Sequence, residues 1–346
     1  MQTVLLLFGG ESTEHEVSIA SAINVAQAID PDRFTVLYGY IDLQGQWWSV
    51  NSVTKELTKN SKLILPILGK KAFIVGDPGT IIEPDVILPI VHGRNGEDGS
   101  VQALGQLLHI PVVGCDMTSS AAAMNKYVTK QIAMANNIPI VPFTVHYASD
   151  KIPDYVEVSD KLGAKLFVKP ANAGSSVGVH KVSNQEELKA ALKNAHTHDE
   201  VALIETAINA RELEVALLGN YPDVNVSAVS EIKPDSEFYT FDSKYDESST
   251  TKVVIPAEIA PELSDKLRQQ AALIFRLIGG SGLARVDFFI DANTQQVFLN
   301  EVNTIPGFTN ISVYPKAWEY SGITYGVLIE KLIQLALERK TYPTVG

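Results

Sequence analysis

A chain of 346 residues, 45% apolar and 20% charged, is long enough for about two or three globular domains. Its formal net charge of −12 argues against a dominant nucleic-acid or anionic-membrane surface, since both favour Lys and Arg. The single cysteine, Cys115, excludes an internal disulfide and CxxC chemistry, and the run 4–8 lacks the basic flank and length of a signal peptide. No apolar stretch approaches the roughly 18 residues of a membrane span, so a cytoplasmic protein is expected.

Residues 4–8 read as a buried strand running into Gly9-Gly10, followed by a helix from about 14 to 29. Thr13 and Glu16 have capping-box spacing, which sets the expected helix start. A further strand at 34–41 completes a βαβ unit and implies a parallel sheet. Ligands of such sheets bind beyond the carboxyl ends of strands, where Glu14 and His15 are expected. No GxGxxG follows the first strand, so a dinucleotide fingerprint is absent. Residues 42–80 read as surface loops and short strands, with Trp47 and Trp48 as local packing. A strand at 85–91 ends in His92-Gly93-Arg94-Asn95-Gly96-Glu97-Asp98-Gly99. That loop would let backbone N–H groups approach an anion, but it is also a plain flexible turn. Taken alone, His92 is better explained as a satisfied structural histidine than as a catalyst. Helices follow at 100–108 and 119–136, with a short strand at 111–113. Cys115, just after an apolar run, reads as a small buried core residue.

From Pro139 onward the strands shorten, which puts a domain boundary near 118–140. A strand at 165–170 carries Lys169 near its end and leads into Ala171-Asn172-Ala173-Gly174-Ser175-Ser176-Val177-Gly178, then into a second strand through Val182. Such a strand–loop–strand unit of small residues suits a flap over phosphates, and Lys126 is available from the preceding helix. A strand at 201–205 ends in Glu205, and Glu212 follows in a mixed segment. The long polar loop 233–251 has the composition of a functional lid. Helices at 261–278 and 322–339 complete the chain. In the first, Leu263, Leu267, Ile274, Leu277 and Ile278 recur at helical spacing as a core face.

The stretch Gly282–Phe308 reads as two strands joined by the polar turn 291–295. Arg285 and Asp287 share one face of the first strand, and Glu301 and Asn303 share one face of the second. With a five-residue turn, Arg285 lies opposite Glu301 and Asp287 sits diagonally beside it, roughly 5–8 Å apart. Val286, Phe288 and Ile290, with Phe298 and Val302, make the other face apolar. Two carboxylates and an amide oxygen suit Mg²⁺, which commonly shares its shell with substrate phosphates. The plainer alternative is a solvated strand face with one weak ion pair. Gly174-Ser175-Ser176-Val177-Gly178 also matches the G-x-S-x-G of serine hydrolases, with Ser176 as nucleophile. That reading requires a helix after the serine and a later histidine, yet the last histidine is His198. A non-catalytic Mg-nucleotide module is a further alternative.

Taken together, FGGESTEHEVS, HGRNGEDGS, MNK at 124–126, KPANAGSSVGV, SKY at 243–245 and LARVDFF…FLNEVNTIPGF resemble the D-alanine–D-alanine ligases of the ATP-grasp superfamily over essentially the whole chain. The resemblance implies an α/β (α+β) ATP-grasp fold with an N-terminal parallel α/β domain at 1–122, a central subdomain at 123–213 and a C-terminal subdomain at 214–346. It implies ATP, two Mg²⁺ ions (with Mn²⁺ as a substitute), D-alanine as substrate and a homodimer. By the same resemblance Asp287, Glu301 and Asn303 are the metal ligands, and Lys126 and Lys169 bind phosphate. Glu205 and Glu212 lie on the adenine and ribose side, and Asn300 also belongs to the nucleotide site. Glu14 holds the first D-alanine's ammonium, Arg285 stabilises the transferring oxyanion, and Ser312 meets the second carboxylate beside Gly307 and Val313. Ser175 and Tyr245 form a set with Glu14, Lys244 reaches the γ-phosphate, and His92 becomes an active-site residue. Two positions depart from the commonest pattern: Asn125 stands where Asp is usual, and Ile305 where Met is frequent. Relatives making D-alanyl-D-lactate or D-alanyl-D-serine are the alternative within the family.

Overall fold

The computed structural model describes residues 1–175, 177–233 and 251–339. Among these residues, sixteen strands build three sheets of seven, four and five strands. Strand β1 (Gln2–Gly9) is the hub of the first sheet, because its run Val4–Phe8 is wholly buried and needs cover on both faces. It pairs in parallel with β2 (Phe34–Ile41) and β7 (Val86–Ile90), with helix α1 (His15–Ala28) as the crossover. Beyond β2 the sheet continues antiparallel through β3 (Trp47–Val50), β4 (Lys62–Ile67), β5 (Ala72–Val75) and β6 (Thr80–Ile82). Trp47 stacks on Phe73, and Trp48 donates its indole N–H to Asp42, so both serve local packing as expected.

The expected capping box is absent. Glu14 is the residue that caps α1, without a side-chain cap bond, and Ser12 Oγ accepts from its N–H at 3.2 Å. His15 turns into the core, its Nδ1 2.6 Å from Gly10 O and its Nε2 3.2 Å from Tyr40 Oη. Helix α2 (Ser100–Leu108) is as expected. The helix expected at 119–136 is instead two, α3 (Met117–Met124) and α4 (Lys126–Ala135), broken at Asn125. Extended backbone there lets Asn125 Oδ1 accept the Val128 N–H at 3.0 Å and cap the second helix, the task an aspartate would perform.

The four-stranded sheet, in the order β10-β9-β11-β8, consists of β8 (Phe143–Tyr147), β9 (Leu166–Pro170), β10 (His180–Val182) and β11 (Val201–Thr206). It buries its apolar face under α5 (Tyr155–Leu162) and α6 (Gln185–Ala195), two helices beyond those expected from the sequence. The segment called mixed around Glu212 is the eleven-residue strand β12 (Ala210–Asn220). It lies at the centre of the five-stranded sheet between β13 (Asp223–Lys233) and β15 (Gly282–Asp291), with β14 (Lys252–Val254) and β16 (Val297–Asn303) outside them. Helix α7 (Pro261–Leu277) packs on this sheet through Leu267, Ala271, Ile274 and Phe275. The last helical stretch starts at Tyr325 as α9 (Tyr325–Glu338), and a separate helix α8 (Val313–Tyr320) precedes it. Tyr314 and Trp318 of α8 join Phe8, Ile19 and Leu332 in one core that spans the first and third sheets. Cys115 is a buried core thiol, as expected, and burial pushes its pKa up to about 11.

The β15–β16 register differs from the expectation by two residues. Arg285 pairs with Asn303 and Asp287 with Glu301. The turn takes in Gln296 as well, and a bulge between Asp287 and Phe288 inserts Asn300 as an extra residue on β16. The bulge also breaks the alternation, so Val297, Leu299 and Val302 reach the core. Phe298 instead pairs with Phe289 on the opposite face.

Candidate active site

Strand pairing brings the acidic residues into one row. Asp287 has Glu214 of β12 on one side and Glu301 of β16 on the other. Neighbouring same-face positions across paired strands lie about 5 Å apart, so three carboxylates converge. Oxygens of Glu212, Glu214 and Asp287 lie within 4.8 Å of one another. Buried carboxylates of that density require cations. Arg285 supplies one: its Nε and Nη2 donate to the two oxygens of Asp287 at 2.8 and 2.7 Å, and its Nε is 3.0 Å from Glu214 Oε2. Asn303 Nδ2 donates to Asp287 Oδ2 at 2.8 Å. Glu301 Oε2 faces Lys126 Nζ at 3.4 Å. Oxygen donors alone, beside a fixed guanidinium and a lysine, fit a hard divalent cation and an anionic ligand.

A second group forms where the first sheet meets this hairpin. Ser175, at φ 49°, donates its hydroxyl to Glu14 from the loop after β9. Ser12 Oγ donates to His92 O at 2.7 Å, which ties the start of α1 to the loop after β7. Gly93 in that loop has φ +70°, and a Cβ there would lie 2.9 Å from Glu14 Oε2, so the approach needs glycine. The His92 ring is buried, with Nδ1 2.9 Å from Ile305 O and Nε2 3.2 Å from Ser21 Oγ. Burial pushes the His92 imidazole down, but Glu97, Glu14 and the Ile305 carbonyl outweigh it and its pKa is raised. Burial and the Glu14 charge likewise raise Glu97, so this pair holds a proton more tightly than either group does in water. One cleft is lined by Glu14, His92, Ser175, Arg285, Glu301 and Asn303, together with Gly307, Ser312 and Val313.

A third group gathers where α4 meets β9 and β11. Lys126 Nζ, from the first turn of α4, donates to Ala173 O at 2.6 Å and so holds the loop after β9. Lys169 Nζ is 2.7 Å from Glu205 Oε2, and Lys130 Nζ is 3.1 Å from Glu205 Oε1. Burial opposes ionisation of Glu205, but Lys169 and Lys130 override it and hold its carboxyl below the usual range.

The expected residues thus fall into a cleft group and a lysine–glutamate group, joined through Lys126 and Glu301. Asn300 occupies the bulge and does not line the cleft. Lys244 and Tyr245 lie outside the described residues with all of their lid except its ends, Lys233 and Thr251, and so does Ser176 in the loop after β9. The serine-hydrolase reading fails on its own requirement, because strand β10 follows the loop where a helix is needed. Glu214, Glu97 and Lys130 were missed. Glu214 had a usable signal, since it is two residues from Glu212 and shares its strand face.

Three sheets arranged in this way are an ATP-grasp fold, the architecture of ligases that activate a carboxylate with ATP. The family descriptions "D-ala D-ala ligase N-terminus" and "D-ala D-ala ligase C-terminus" match residues 3–115 and 132–334. The chain is 43% identical to D-alanine–D-alanine ligase A of Escherichia coli over 96% of its own length and 95% of that protein's. It is 41% identical to the D-alanine–D-alanine ligase of Heliobacterium modesticaldum, covering 98% and 95%. Among solved structures, the D-alanine–D-alanine ligase from Coxiella burnetii superposes with a TM-score of 0.84 at 33% identity, covering 98% and 96%. The VanG D-Ala:D-Ser ligase from Enterococcus faecalis gives 0.87 at 33% identity, covering 97% and 99%. The chain belongs to the D-alanine–D-alanine ligase family.

Proposed function

We propose that the chain joins two molecules of D-alanine at the expense of ATP, giving D-alanyl-D-alanine for peptidoglycan synthesis. The observation that carries this reading is the cleft in which Glu14, Ser175 and Arg285 meet Glu301 and Asn303 of β16. Glu14 offers an anion for the ammonium of the first D-alanine, with Ser175 holding its carboxylate in place. The carboxylate oxygen of that D-alanine attacks the γ-phosphorus, ADP leaves, and an acyl phosphate forms. The amine of the second D-alanine then attacks the acyl carbon, and phosphate leaves as the amide bond closes. Arg285 beside Glu214 and Asp287 is held where a guanidinium can stabilise the oxyanions of both steps. Ser312 and Val313 at the start of α8, with Gly307, receive the second carboxylate.

Asp287, Glu301 and Asn303 would hold two Mg²⁺ ions, with Mn²⁺ as a substitute. Such ions would offset charge on the phosphoryl oxygens. Lys126 and Lys169 serve the phosphates, while Glu205, Glu212 and Asn300 serve the adenosine side. His92 with Glu97 shapes the wall between the two substrates, and Lys244 and Tyr245 complete the set. The reading divides the chain at 1–122, 123–213 and 214–346 and takes it as a homodimer working in the bacterial cytoplasm, where ATP is available. No helix among the described residues is long and apolar enough to cross a membrane. The dipeptide is preferred over a D-Ser or D-lactate product because the sequence relatives at 41–43% identity are named for the dipeptide. The test is ADP release from ATP and Mg²⁺ that depends on D-alanine, with the product identified by mass. Equal ADP release without D-alanine would overturn it.

A further inference from the structure

Lys130 makes contacts that the reaction as described does not use. It lies one helical turn after Lys126 on α4 but points inward, with a side-chain exposure of 2% against 11% for Lys126. Its ammonium sits 3.1 Å from Glu205 Oε1 and 5.2 Å above the Phe143 ring. Phe143 is the residue that pairs with Glu205 across β8 and β11, so the strands fix this contact. Lys169 takes the other oxygen of Glu205 at 2.7 Å from β9. Two lysine side chains therefore face one buried carboxylate; burial pushes the Lys130 pKa down and Glu205 opposes it.

We propose that Lys130 is a positioning residue for the nucleotide, a buried counter-charge that lets Lys169 leave Glu205 for an ATP phosphate. This rests on the ATP-dependent reading above. Without Lys130, transfer of Lys169 to a phosphate would strand a buried carboxylate, so Lys169 would stay closed on Glu205. With Lys130 in place, Glu205 keeps a partner whichever way Lys169 turns. The side chain of Lys130 is spent on Glu205 and the Phe143 ring, so its influence passes through Glu205 and Lys169.

The experiment measures ADP affinity by calorimetry, together with KM values for ATP and D-alanine, in a double-substitution cycle. Lys130→Met is expected to weaken ADP binding and raise KM for ATP by roughly 10- to 100-fold, with KM for D-alanine within about threefold of the parent. In a Glu205→Gln background, adding Lys130→Met is expected to change ADP affinity by less than about twofold, since no buried carboxylate remains to be satisfied. That double variant keeps the test open if Lys130→Met alone does not fold. An equal loss of ADP affinity in both backgrounds, or unchanged ADP affinity in folded Lys130→Met, would overturn the proposal. Failure of the parent to release ADP with D-alanine would instead overturn the functional reading.

Discussion

Ser175 donates its hydroxyl proton to Glu14, a residue 161 positions earlier in the chain. The contact joins the loop after β9 to the start of α1, so the four-stranded and seven-stranded sheets share one wall of the cleft. A hydrogen bond to a carboxylate contributes roughly 1.5–3 kcal/mol. Ser175→Ala should therefore raise KM for the first D-alanine by about 10- to 100-fold, with a smaller effect on ATP. Steady-state kinetics that separate the two D-alanine sites would check it, and an unchanged KM at the first site would count against this role for Glu14.

His92 and Glu97 give a pH prediction. Both hold their protons more tightly in the fold than in the unfolded chain. The stability that His92 contributes is thus complete below about pH 6.5 and is lost as pH rises through its raised value. Glu97 acts in the same sense at its own, lower ordinary range. Removing the anion leaves burial, the largest influence on His92, less opposed. In Glu97→Gln the imidazole should titrate below its position in the parent, as read by NMR of the ring protons. An unchanged or higher midpoint would show that Glu97 is not what raises it.

Much of this arrangement was legible in the residues, and the gaps have physical causes. A short apolar run such as 4–8, running into Gly9-Gly10, suits a buried strand in a sheet covered on both sides, which is why β1, β2 and β7 were found, though not their order in the sheet. The hairpin's chemistry was legible because period-two spacing sorts Arg285, Asp287, Glu301 and Asn303 onto faces. Its register was not, because a bulge at Asn300 depends on the partner strand and leaves no local mark. The break at Asn125 carries neither Gly nor Pro; the asparagine side chain makes it by capping α4. Lys130 was missed because a lysine on a helix reads as a solvated position, and only the strands beneath α4 reveal that it is buried. Glu14 was placed by the rule that ligands lie beyond strand ends, while its neighbour His15 was misplaced, since adjacent helix positions point in different directions.

Asn125 offers a test of that cap. Asn125→Ala removes the acceptor for the Val128 N–H and should cost about 1 kcal/mol in unfolding free energy. Asn125→Asp keeps the acceptor and adds a negative charge at a helix N-terminus, worth roughly 0.3–1 kcal/mol in the stabilising direction. Denaturant unfolding curves measure both. KM for ATP should stay within about threefold in the Asp variant, because Lys126 is anchored by Ala173 O and Glu301 rather than by residue 125. A destabilised Asp variant would mean that the neutral amide is needed for another reason.

Glu301 is the residue on which the metal assignment turns. It pairs with Asp287 across β15 and β16, next to the bulge, and its carboxylate also meets Lys126. Glu301→Gln keeps the shape and the hydrogen-bonding atoms of one oxygen but removes the charge. A neutral amide is a weaker ligand for a divalent cation than a carboxylate, so phosphoryl charge that such cations would offset would go uncompensated. Turnover should fall by at least about 10³-fold. Its side chain is not fully buried, and the ion pair with Lys126 at 3.4 Å is modest, so the fold should survive with a melting temperature within a few degrees of the parent. Chelating divalent ions should silence the parent and excess Mg²⁺ should restore it, whereas added Mg²⁺ should not restore Glu301→Gln. Asn303→Ala should lie between the two, because Asp287 and Glu301 remain. Full activity in a folded Glu301→Gln protein would remove the carboxylate row Glu214–Asp287–Glu301 from the metal site and leave it as the setting of Arg285 alone.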